Sequence, residues 1–352
     1  MANKDFDPRN FIFTPADASR VTLEQAKDMK ENRYRAMPLG LSGAVNQYFR
    51  PALPGQITSI IGQSHMNKSG TMAAIIRGQA EYLQMAGRGD EVIVWVSVED
   101  AIEEAMYSEL ARMTGEDAGA IASGDIQDWD RLEAEAQKIA EIPIYRIGDS
   151  LVQPDMEGEL YLSNMIRCIK FLKDDLLANP VKIAALHFDY LQAFPVDPEV
   201  KSGAQMHEAR RLQVREDIYR LRKAAKYFDC PVFVNVQAKQ TLSNDNRDFY
   251  MPGIYDGEES AAIGQRSDRI ITLWMPKVSH GIGKKMKVDQ TEYTAFENLL
   301  WIKVAKQRGR LPSGQAWPYL IDYATGDLKP STIDLLAQNS RTGGIVMDWA
   351  HE

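Results

Sequence analysis

A strand pattern that runs directly into a glycine-to-lysine loop and then into a helix constrains the fold of this chain most. Residues 57–61 are mostly β-branched, Gly62 opens the loop, and Lys68 and Ser69 close it. In such a loop the backbone N–H groups and the helix N-terminus bind phosphate, the lysine reaches the outer phosphates, and the hydroxyl binds Mg²⁺. We therefore predict a site for ATP and Mg²⁺ formed by Gly62, Gln63, Ser64, His65, Met66, Asn67, Lys68 and Ser69.

One position departs from the pattern G-x-x-x-x-G-K-[ST], because Asn67 stands where the second glycine is expected. A glycine at this point allows a positive φ, and asparagine is the residue with a side chain that best tolerates that region. We therefore predict that the loop still forms. Taken alone, the loop is also compatible with an ordinary connection between a strand and a helix. His65, within the loop, is a candidate for a direct phosphate contact.

Composition limits the classes of protein to which this chain can belong. With 352 residues, 44% of them hydrophobic, the chain can bury a large core. Its net charge of −8 argues against a protein whose whole surface is basic and binds nucleic acid. Cys168 and Cys230 lie in apolar contexts without C-x-x-C spacing, so we expect two buried free thiols in a reducing compartment. The sequence has neither a signal-peptide pattern nor a membrane-spanning apolar run, so we expect a cytoplasmic protein without membrane contact.

The rest of the chain alternates between apolar strands and helical segments. Runs of β-branched residues separated by helices indicate a parallel sheet that is buried on both faces. In such sheets ligands bind beyond the carboxyl ends of the strands, so the side chains at those ends are the first candidates for a site. The predicted strands after the loop are 92–96, 142–147, 183–188, 232–236, 270–273 and 299–304.

Two acidic residues stand at predicted strand ends. Glu99 follows the second strand, where a carboxylate could polarise the water that attacks a γ-phosphate, or where Glu99 or Asp100 could instead cap the next helix. Asp189 ends the apolar run 182–188 in the manner of a Walker B acid, which orients Mg²⁺ through its water shell. Its alternative role is that of a turn residue. His187, inside the same strand, is predicted to be a core residue.

A long polar segment, residues 238–257, follows the strand that ends at Gln237. The segment contains Lys239 and Arg247. Loops of this length inside compact domains are uncommon and are often functional, so we predict a mobile substrate loop.

The helix predicted at residues 208–228 is amphipathic. Its apolar face consists of Val214, Ile218, Leu221, Ala225 and Phe228. The cations on its other faces form either a solvated surface or the lining of a nucleic-acid channel; they are Arg215, Arg220, Arg222, Lys223 and Lys226.

The last predicted strands form a hairpin. In the strand that begins at residue 299, the period of two puts Lys306 and Arg308 on the same side, and residues 309–314 make the turn. These two cations are either surface residues or groups that reach the γ-phosphate held by the next subunit, as an arginine finger does. Periodicity alone does not decide between these roles.

The N-terminal segment is predicted to contain an extended arm, up to about residue 20, and one short helix. Residues 22–25, Thr-Leu-Glu-Gln, resemble a capping box, and the segment to residue 35 is rich in helix formers. A short helix with few apolar residues is marginal in isolation. We therefore expect it to dock on its own core or on a neighbouring subunit.

Together these motifs resemble the C-terminal, RecA-like ATPase domain of DnaB-type replicative helicases. The resemblance extends from about residue 37 to residue 328 and follows the family's order and spacing. It rests on the loop from Gly62 to Ser69, Ser97-Val98-Glu99, Gly124-Asp-Ile-Gln-Asp-Trp129, Phe188-Asp189-Tyr190-Leu191-Gln192, Pro231-Val232 through Gln237, Glu259-Ser260 with Ile263, Gln265 and Asp268, and Ala305-Lys306-Gln307-Arg308.

The resemblance implies a fold, an activity and a set of roles. The fold is α/β, a RecA-like P-loop NTPase core in which a mostly parallel, twisted sheet is flanked by helices and ends in a C-terminal β-hairpin. The implied assembly is a homo-oligomeric ring, typically a hexamer, that binds ATP and Mg²⁺ between subunits and single-stranded DNA in its channel. A helicase loader or other replication proteins are the implied partners. The implied residues are Lys68, Ser69 and Asp189 for phosphate and Mg²⁺, Glu99 as catalytic carboxylate, Gln237 as γ-phosphate sensor, Lys306 and Arg308 acting in trans, and Lys239 and Arg247 for DNA.

The implied organisation has three parts: residues 1–36 as an arm and a linker helix that docks on the adjacent subunit, 37–329 as the ATPase domain, and 330–352 as a C-terminal tail. Three features depart from the family. Asn67 replaces a glycine, Lys239-Gln240 replaces an Asn-Arg pair, and the N-terminal collar domain that binds primase in the family is expected to be absent.

The leading hypothesis is therefore a ring-forming, ATP-dependent DNA helicase or translocase. One alternative is a nucleotide-binding ring of RecA or KaiC type that acts as a scaffold or regulator with weak or no hydrolysis. Another is an ATPase of that wider group acting on protein partners. Salt-sensitive binding of nucleic acid at Lys239 and Arg247 would distinguish the first hypothesis from the others.

Overall fold

The computed structural model describes residues 14–30, 35–151, 160–176, 182–197, 206–239, 251–258, 261–288, 291–309 and 311–342. The chain divides into two units, Met1–Ala36 and Met37–Glu352. All the strands among the described residues lie in the second unit.

The first unit contains helix α1, Pro15–Lys30. Thr14 and Asp17 cap its N-terminus, because the Thr14 hydroxyl accepts the Asp17 N–H at 3.2 Å and the Asp17 carboxylate accepts the Thr14 hydroxyl at 2.6 Å. The prediction of an arm to residue 20 and a capping box at residues 22–25 is therefore wrong. Thr22 lies inside the helix, and its hydroxyl donates to the Ala18 carbonyl at 2.8 Å.

A nine-stranded sheet forms the centre of the second unit. Its strands are β1 (Ile57–Gly62), β2 (Glu91–Ser97), β3 (Ile144–Gly148), β4 (Lys182–Asp189), β5 (Val232–Gln237), β6 (Arg269–Trp274), β9 (Leu299–Gln307), β10 (Ala316–Ile321) and β11 (Leu328–Pro330). They lie in the order β11-β10-β9-β6-β1-β5-β4-β2-β3. Two further strands, β7 (Lys285–Val288) and β8 (Thr291–Thr294), pair only with each other among the described residues.

The sheet has a parallel part and an antiparallel part. Neighbouring strands from β6 through β1, β5, β4 and β2 to β3 are parallel, whereas β9, β10 and β11 are antiparallel to their neighbours. The predicted RecA-like core, with a mostly parallel sheet and a C-terminal hairpin, is confirmed. The strands β7, β8 and β11 were not predicted, because three or four residues give too short a pattern.

Helices cover both faces of the sheet. Apart from α1 they are α2 (Ala44–Tyr48), α3 (Lys68–Met85), α4 (Ile102–Thr114), α5 (Ala118–Ser123), α6 (Trp129–Ala140), α7 (Leu162–Phe171), α8 (Met206–Tyr227), α9 (Ala262–Arg266), α10 (Pro276–His280) and α11 (Ile333–Thr342). Helix α11 belongs to the predicted tail, and its Leu336 is fully buried in the core. Residues 343–352 of that tail lie outside the described residues.

Strand β1 separates two apolar cores. All six of its residues are buried. Ile60 packs in one core with Ile75 of α3, and Ile57 and Ile61 pack in the other with Ile218 of α8. Alternate side chains of a strand point to opposite faces, so this short apolar run holds both helical layers against the sheet.

Helix α8 confirms the predicted apolar face but corrects the interpretation of its cations. Arg220 pairs with Asp197 at 2.7 Å, and Arg222 pairs with Asp268 at 2.9 Å. These two arginines therefore link α8 to neighbouring segments and are not part of a freely solvated surface. Arg215, Lys223 and Lys226 are exposed.

The two cysteines differ in exposure. Cys230 is buried as predicted, but Cys168 is exposed on α7, and both are free thiols. The prediction of a buried Cys168 is wrong, because an apolar sequence context does not show which face of a helix a residue occupies.

No helix in the described part of the chain is long and apolar enough to cross a bilayer.

Candidate functional site

The carboxyl ends of four neighbouring parallel strands form one edge of the sheet. Along this edge the strands follow the order β1, β5, β4 and β2. Gly62 at the end of β1 pairs with Gln237 at the end of β5, and Ser97 at the end of β2 pairs with Asp189 at the end of β4. The glycine-to-lysine loop therefore begins where the predicted polar residues converge.

The loop leaves β1 and enters α3 through two residues with positive φ. His65 has φ 62°, and Asn67 has φ 55° and ψ 39°, which is the left-handed region. Asparagine tolerates this region better than most residues do, so the loop forms without the second glycine. The Asn67 amide lies close to Gly70. A Cβ added to Gly70 would be 2.4 Å from Oδ1 of Asn67.

Lys68, the first residue of α3, turns its ammonium group toward β5. The group donates to the Gln63 carbonyl at 2.9 Å and to Oε1 of Gln237 at 2.7 Å. Burial lowers the pKa of Lys68, against the attraction of nearby carboxylates, of which Asp189 is the strongest. The ammonium is held by neutral oxygens, which a phosphate oxygen can replace.

Asp189 is almost fully buried at the end of β4. Its carboxylate accepts Nδ2 of Asn235 at 2.8 Å and also a hydrogen bond from Ser69. Burial raises the pKa of Asp189, and these two hydrogen bonds oppose that shift. The peptide bond between Asp189 and Tyr190 is cis. Ser69 and Asp189, predicted separately from two motifs, are thus in direct contact.

Glu99 lies in the turn after β2, on the solvent side of the same edge. Burial raises the pKa of Glu99, and Asp189 and Asp100 raise it further. The alternative of a helix cap is wrong, because the N-cap position of α4 is Ala101 and no side-chain hydrogen bond caps this helix. Glu99 does not cap α4, and it lies close enough to Asp189 and Lys68 for both to influence its pKa.

Gln237 bridges the loop and its own strand. Its Oε1 accepts from Lys68, and its Nε2 donates to the Ser64 hydroxyl at 2.9 Å. Beyond it, Nε2 of Gln63 donates to the Lys239 carbonyl at 3.2 Å, and the Lys239 side chain is exposed. The phosphate loop therefore touches the beginning of the predicted substrate loop. Arg247 lies outside the described residues.

Lys306 and Arg308 lie at the opposite edge of the sheet. Strand β9 is antiparallel to β6, and Gln307 pairs with Arg269 at the start of β6. Because β6 runs parallel to β1, this end of β9 is level with the start of β1, whereas the phosphate loop follows its end. A strand as long as β1 spans about 20 Å, so these cations do not reach the loop of their own chain.

Both cations contact α9, and Arg308 also contacts Asp268, the residue before β6. The Lys306 ammonium donates to the Gly264 carbonyl at 2.6 Å. Arg308 donates to the Gln265 carbonyl and pairs with Asp268 at 3.3 Å, while about half of its side chain is exposed. Burial and the neighbouring Arg308 lower the pKa of Lys306. The two cations form a positive group at the chain's surface.

The structure adds four residues to the site that sequence analysis did not assign. Asn235 binds Asp189, the Tyr190 ring lies 5.8 Å from the Lys68 ammonium, and Gln192 binds Gln237. Glu258 contributes negative charge at Lys68. Asn235, a polar residue within an apolar strand, and Tyr190, the neighbour of Asp189, could have been noticed in the sequence. Only the fold shows that Gln192 contacts Gln237 and that Glu258 lies near Lys68.

The residues at this edge fit a nucleotide with Mg²⁺. The Ser69 hydroxyl and the Asp189 carboxylate are hard oxygen ligands of the kind Mg²⁺ prefers, and Mg²⁺ is usually bound by one or two carboxylates plus substrate phosphates. Backbone N–H groups at the start of α3 and the half-buried Lys68 fit the phosphates. Within the described residues, no group of three or more His, Cys, Asp or Glu side chains could hold a metal without a nucleotide.

Comparisons with known proteins agree with this fold. The family model of the DnaB-like helicase C terminal domain matches residues 44–314. The ATPase domain of G40P aligns with a TM-score of 0.66 and 16% identity, over 90% of this chain and 99% of that chain. A DnaB-like replicative helicase, solved to study its interactions with primase, aligns with a TM-score of 0.59 and 16% identity over 78% of this chain. The alignment spans 59% of that helicase's length. No curated protein sequence matches the chain.

Proposed function

This chain belongs to the family of DnaB-like helicase C-terminal domains, and from that premise we propose that it is a ring-forming, ATP-dependent DNA helicase or translocase. One observation carries the proposal. The phosphate loop with Ser69, the buried Asp189, and Glu99 meet at one edge of the sheet, while Lys306 and Arg308 lie at the other. A complete hydrolytic site then needs two chains.

In the proposed site, each residue of the loop edge has one task. Lys68 exchanges its neutral partners for phosphate oxygens, and the first N–H groups of α3 bind the phosphates. Ser69 and Asp189 would hold Mg²⁺, which when bound neutralises charge on the β- and γ-phosphates. Glu99 accepts a proton from the attacking water. Its raised pKa makes it a better base than an ordinary glutamate.

The second half of the proposed site comes from the neighbouring subunit. Phosphoryl transfer depends on positioning and on neutralising the charge of the transition state. A surface pair of cations, Lys306 and Arg308, suits that task when it faces the phosphates of the next chain. Closure of such head-to-tail contacts gives a ring, and a hexamer is the family's usual form. Helix α1 is the proposed linker to the adjacent subunit.

The proposed DNA contact is the segment that begins at Lys239 and includes Arg247. The chain is acidic as a whole, so a polyanion would need local cations inside the ring, and Lys239 and Arg247 are the two that residues 238–257 contain. The start of this segment contacts the phosphate loop through Gln63, which would allow nucleotide and DNA to influence each other. A helicase loader and other replication proteins are the proposed protein partners.

Steady-state ATP hydrolysis by the purified chain tests the proposal, with and without single-stranded DNA and beside a Lys68→Ala control. We expect turnover that rises with DNA and is lost in the control, and DNA binding that weakens steeply as salt increases. Nucleotide binding without turnover would contradict the proposal and favour the scaffold hypothesis. Salt-insensitive binding to other macromolecules would favour protein partners.

A further inference from the structure

Gln192 makes three side-chain hydrogen bonds, two of them to Gln237, the residue that the family resemblance implies as the γ-phosphate sensor. It lies in the 3₁₀ turn Leu191–Ala193, just after β4. Its Oε1 accepts the Gln237 N–H at 3.0 Å, and its Nε2 donates to the carbonyls of Gln237 and Glu258, each at 3.3 Å. One side-chain amide therefore holds both polar groups of the Gln237 backbone.

The backbone of Gln192 is itself held from a different element. The guanidinium group of Arg210, on α8, donates to the Gln192 carbonyl and also to the Phe194 carbonyl, the latter at 2.7 Å. The 3₁₀ turn is thus anchored to a long helix. Gln192 is therefore fixed at two points. Arg210 holds its backbone carbonyl, and Gln237 and Glu258 bind its side-chain amide.

The position of the Gln237 backbone sets the position of its side chain. From that backbone the Gln237 amide reaches the Lys68 ammonium at 2.7 Å and the Ser64 hydroxyl at 2.9 Å. Small displacements at a catalytic group are costly, since a misplacement of about 1 Å can reduce the rate by about 10²-fold. Two of the three hydrogen bonds from Gln192 hold the Gln237 backbone directly and oppose such a displacement.

The same amide joins a second chain segment to the site. Glu258 donates its N–H to the Gln237 carbonyl at 2.8 Å, and Lys239 donates its N–H to the Asp256 carbonyl at 2.9 Å. Gln192, by binding the carbonyls of both Gln237 and Glu258, fastens residues 256–258 to the end of β5. The chain on both sides of the predicted substrate loop is therefore tied to one glutamine.

We propose that Gln192 is a positioning residue that keeps the Gln237 amide in register with Lys68 and fastens residues 256–258 to the phosphate site. It acts through Gln237 and does not touch the nucleotide. The inference rests on the proposed function in that it treats this edge as the γ-phosphate site. Beyond that function, Gln192 is proposed to hold the Gln237 side chain in the position from which it distinguishes a nucleotide with a γ-phosphate from one without.

The test uses the ratio of two affinities, for ADP and for a non-hydrolysable ATP analogue, measured on the full chain with fluorescent nucleotides. We expect Gln192→Leu, which removes all three hydrogen bonds, to reduce the preference for the ATP analogue about tenfold or more. Gln192→Glu, which keeps the acceptor for the Gln237 N–H, should retain part of the preference. Where turnover is measurable, kcat should fall more than KM changes.

Gln213→Leu is the matched control. The buried Gln213 amide accepts the Asp197 N–H at 3.1 Å, as Gln192 accepts that of Gln237, and the partners of its amide are Asp197 and Asp217 rather than Gln237. A merely structural loss would lower stability in both leucine variants and leave the affinity ratio unchanged. The inference is overturned if the affinity ratio of Gln192→Leu equals that of the wild type. Where Gln192→Leu does not fold, a Gln192→Glu ratio equal to that of the wild type overturns it. A wild type with no preference overturns it as well.

This readout separates the inference from the proposed function. Nucleotide discrimination needs no turnover and no DNA, so a chain that prefers the ATP analogue but does not hydrolyse ATP would contradict the proposed helicase and leave the role of Gln192 standing. Conversely, an active helicase whose preference is untouched by Gln192→Leu would contradict the role of Gln192 alone.

Discussion

The Lys68 ammonium donates a 2.7 Å hydrogen bond to Oε1 of Gln237, which joins the first residue of helix α3 to the last residue of strand β5. Any phosphate that binds Lys68 must share this cation with a neutral amide or displace the amide. Replacing the amide with a carboxylate should therefore turn a weak competitor into a strong one.

Gln237→Glu should weaken nucleotide binding about ten- to a hundredfold, because a hydrogen bond between charged groups contributes about 1.5–3 kcal/mol. Titration with a fluorescent ADP measures the effect. Gln237→Ala is the control, since it removes the competitor and should leave ADP affinity equal to or above that of the wild type. Equal losses in both variants would contradict the competition and indicate that Gln237 supports binding itself.

Arg308→Ala should lower ATP turnover by roughly 10³-fold while ADP binding stays normal, as expected of an arginine finger. The variant should fold, because Arg308 is half exposed and Asp268 keeps its 2.9 Å pair with Arg222. Exposed pairs contribute at most about 1 kcal/mol. Arg167→Ala, which removes an exposed arginine of α7, is the control.

Mixing two inactive variants tests whether Arg308 acts on the next subunit. A Lys68→Ala chain keeps Arg308, and an Arg308→Ala chain keeps the phosphate loop. A site is therefore complete where the phosphate loop of an Arg308→Ala chain faces the Arg308 of a Lys68→Ala chain. We expect turnover to reappear when the variants are mixed. Mixtures that assemble but stay inactive would show that Arg308 does not act in trans.

Glu99→Gln should reduce turnover by about 10²–10⁴-fold, the usual contribution of a general base, without weakening nucleotide binding. Burial, Asp189 and Asp100 all raise the pKa of Glu99. The ionised form is the active one, so turnover in the wild type should fall as pH decreases through that raised pKa, at a higher pH than an ordinary glutamate would give. A pH profile of kcat, with Glu104→Gln as control, measures this. An acid limb that persists in Glu99→Gln would assign it to another group.

The parallel core could be predicted from sequence because its strands are apolar runs whose ends carry the polar residues. Lys68, Asp189, Glu99 and Gln237 each follow or end such a run, and α/β geometry brings those ends together. Local pattern was enough at Asn67 too, since asparagine is suited to the left-handed backbone that the loop adopts.

The support around these residues could not be predicted, because its partners are distant in the chain. Asn235 binds Asp189 across 46 residues, and Gln192 binds Gln237 across 45. A glutamine in a turn carries no local sign that its amide will hold another segment. Likewise, nothing in the apolar neighbours of Cys168 shows that its side of α7 faces outward.

Asp217 should contribute less to the stability of the chain at neutral pH than at pH 4. Burial raises the pKa of Asp217 from 3.8 to about 6, in spite of the Gln213 hydrogen bond and the attraction of Arg220. An acid with a raised pKa in the folded state favours folding most when protonated, and this contribution is lost as pH increases through 6. The free energy of unfolding of Asp217→Asn, minus that of the wild type, should therefore be roughly 1–3 kcal/mol larger at pH 8 than at pH 4. Urea unfolding at both pH values measures this, and a difference that does not change with pH would contradict it.

Asn67 holds the phosphate loop in a conformation that costs most side chains about 1–2 kcal/mol. Its φ of 55° and ψ of 39° suit glycine and asparagine, but not alanine. Asn67→Ala should therefore destabilise the chain by about 1 kcal/mol relative to Asn67→Gly, as measured by urea unfolding.

The contact between Asn67 and Gly70 gives a sharper form of the same test. A Cβ on Gly70 would be 2.4 Å from Oδ1 of Asn67, so Gly70→Ala alone should force the amide to rotate and weaken the loop. In the Asn67→Gly background that obstacle is absent, and Gly70→Ala should instead stabilise helix α3 by about 0.5–1 kcal/mol. Additive effects in the double variant would contradict this coupling. Turnover of Asn67→Gly, compared with the wild type, then shows whether the asparagine restrains hydrolysis or only substitutes for the glycine.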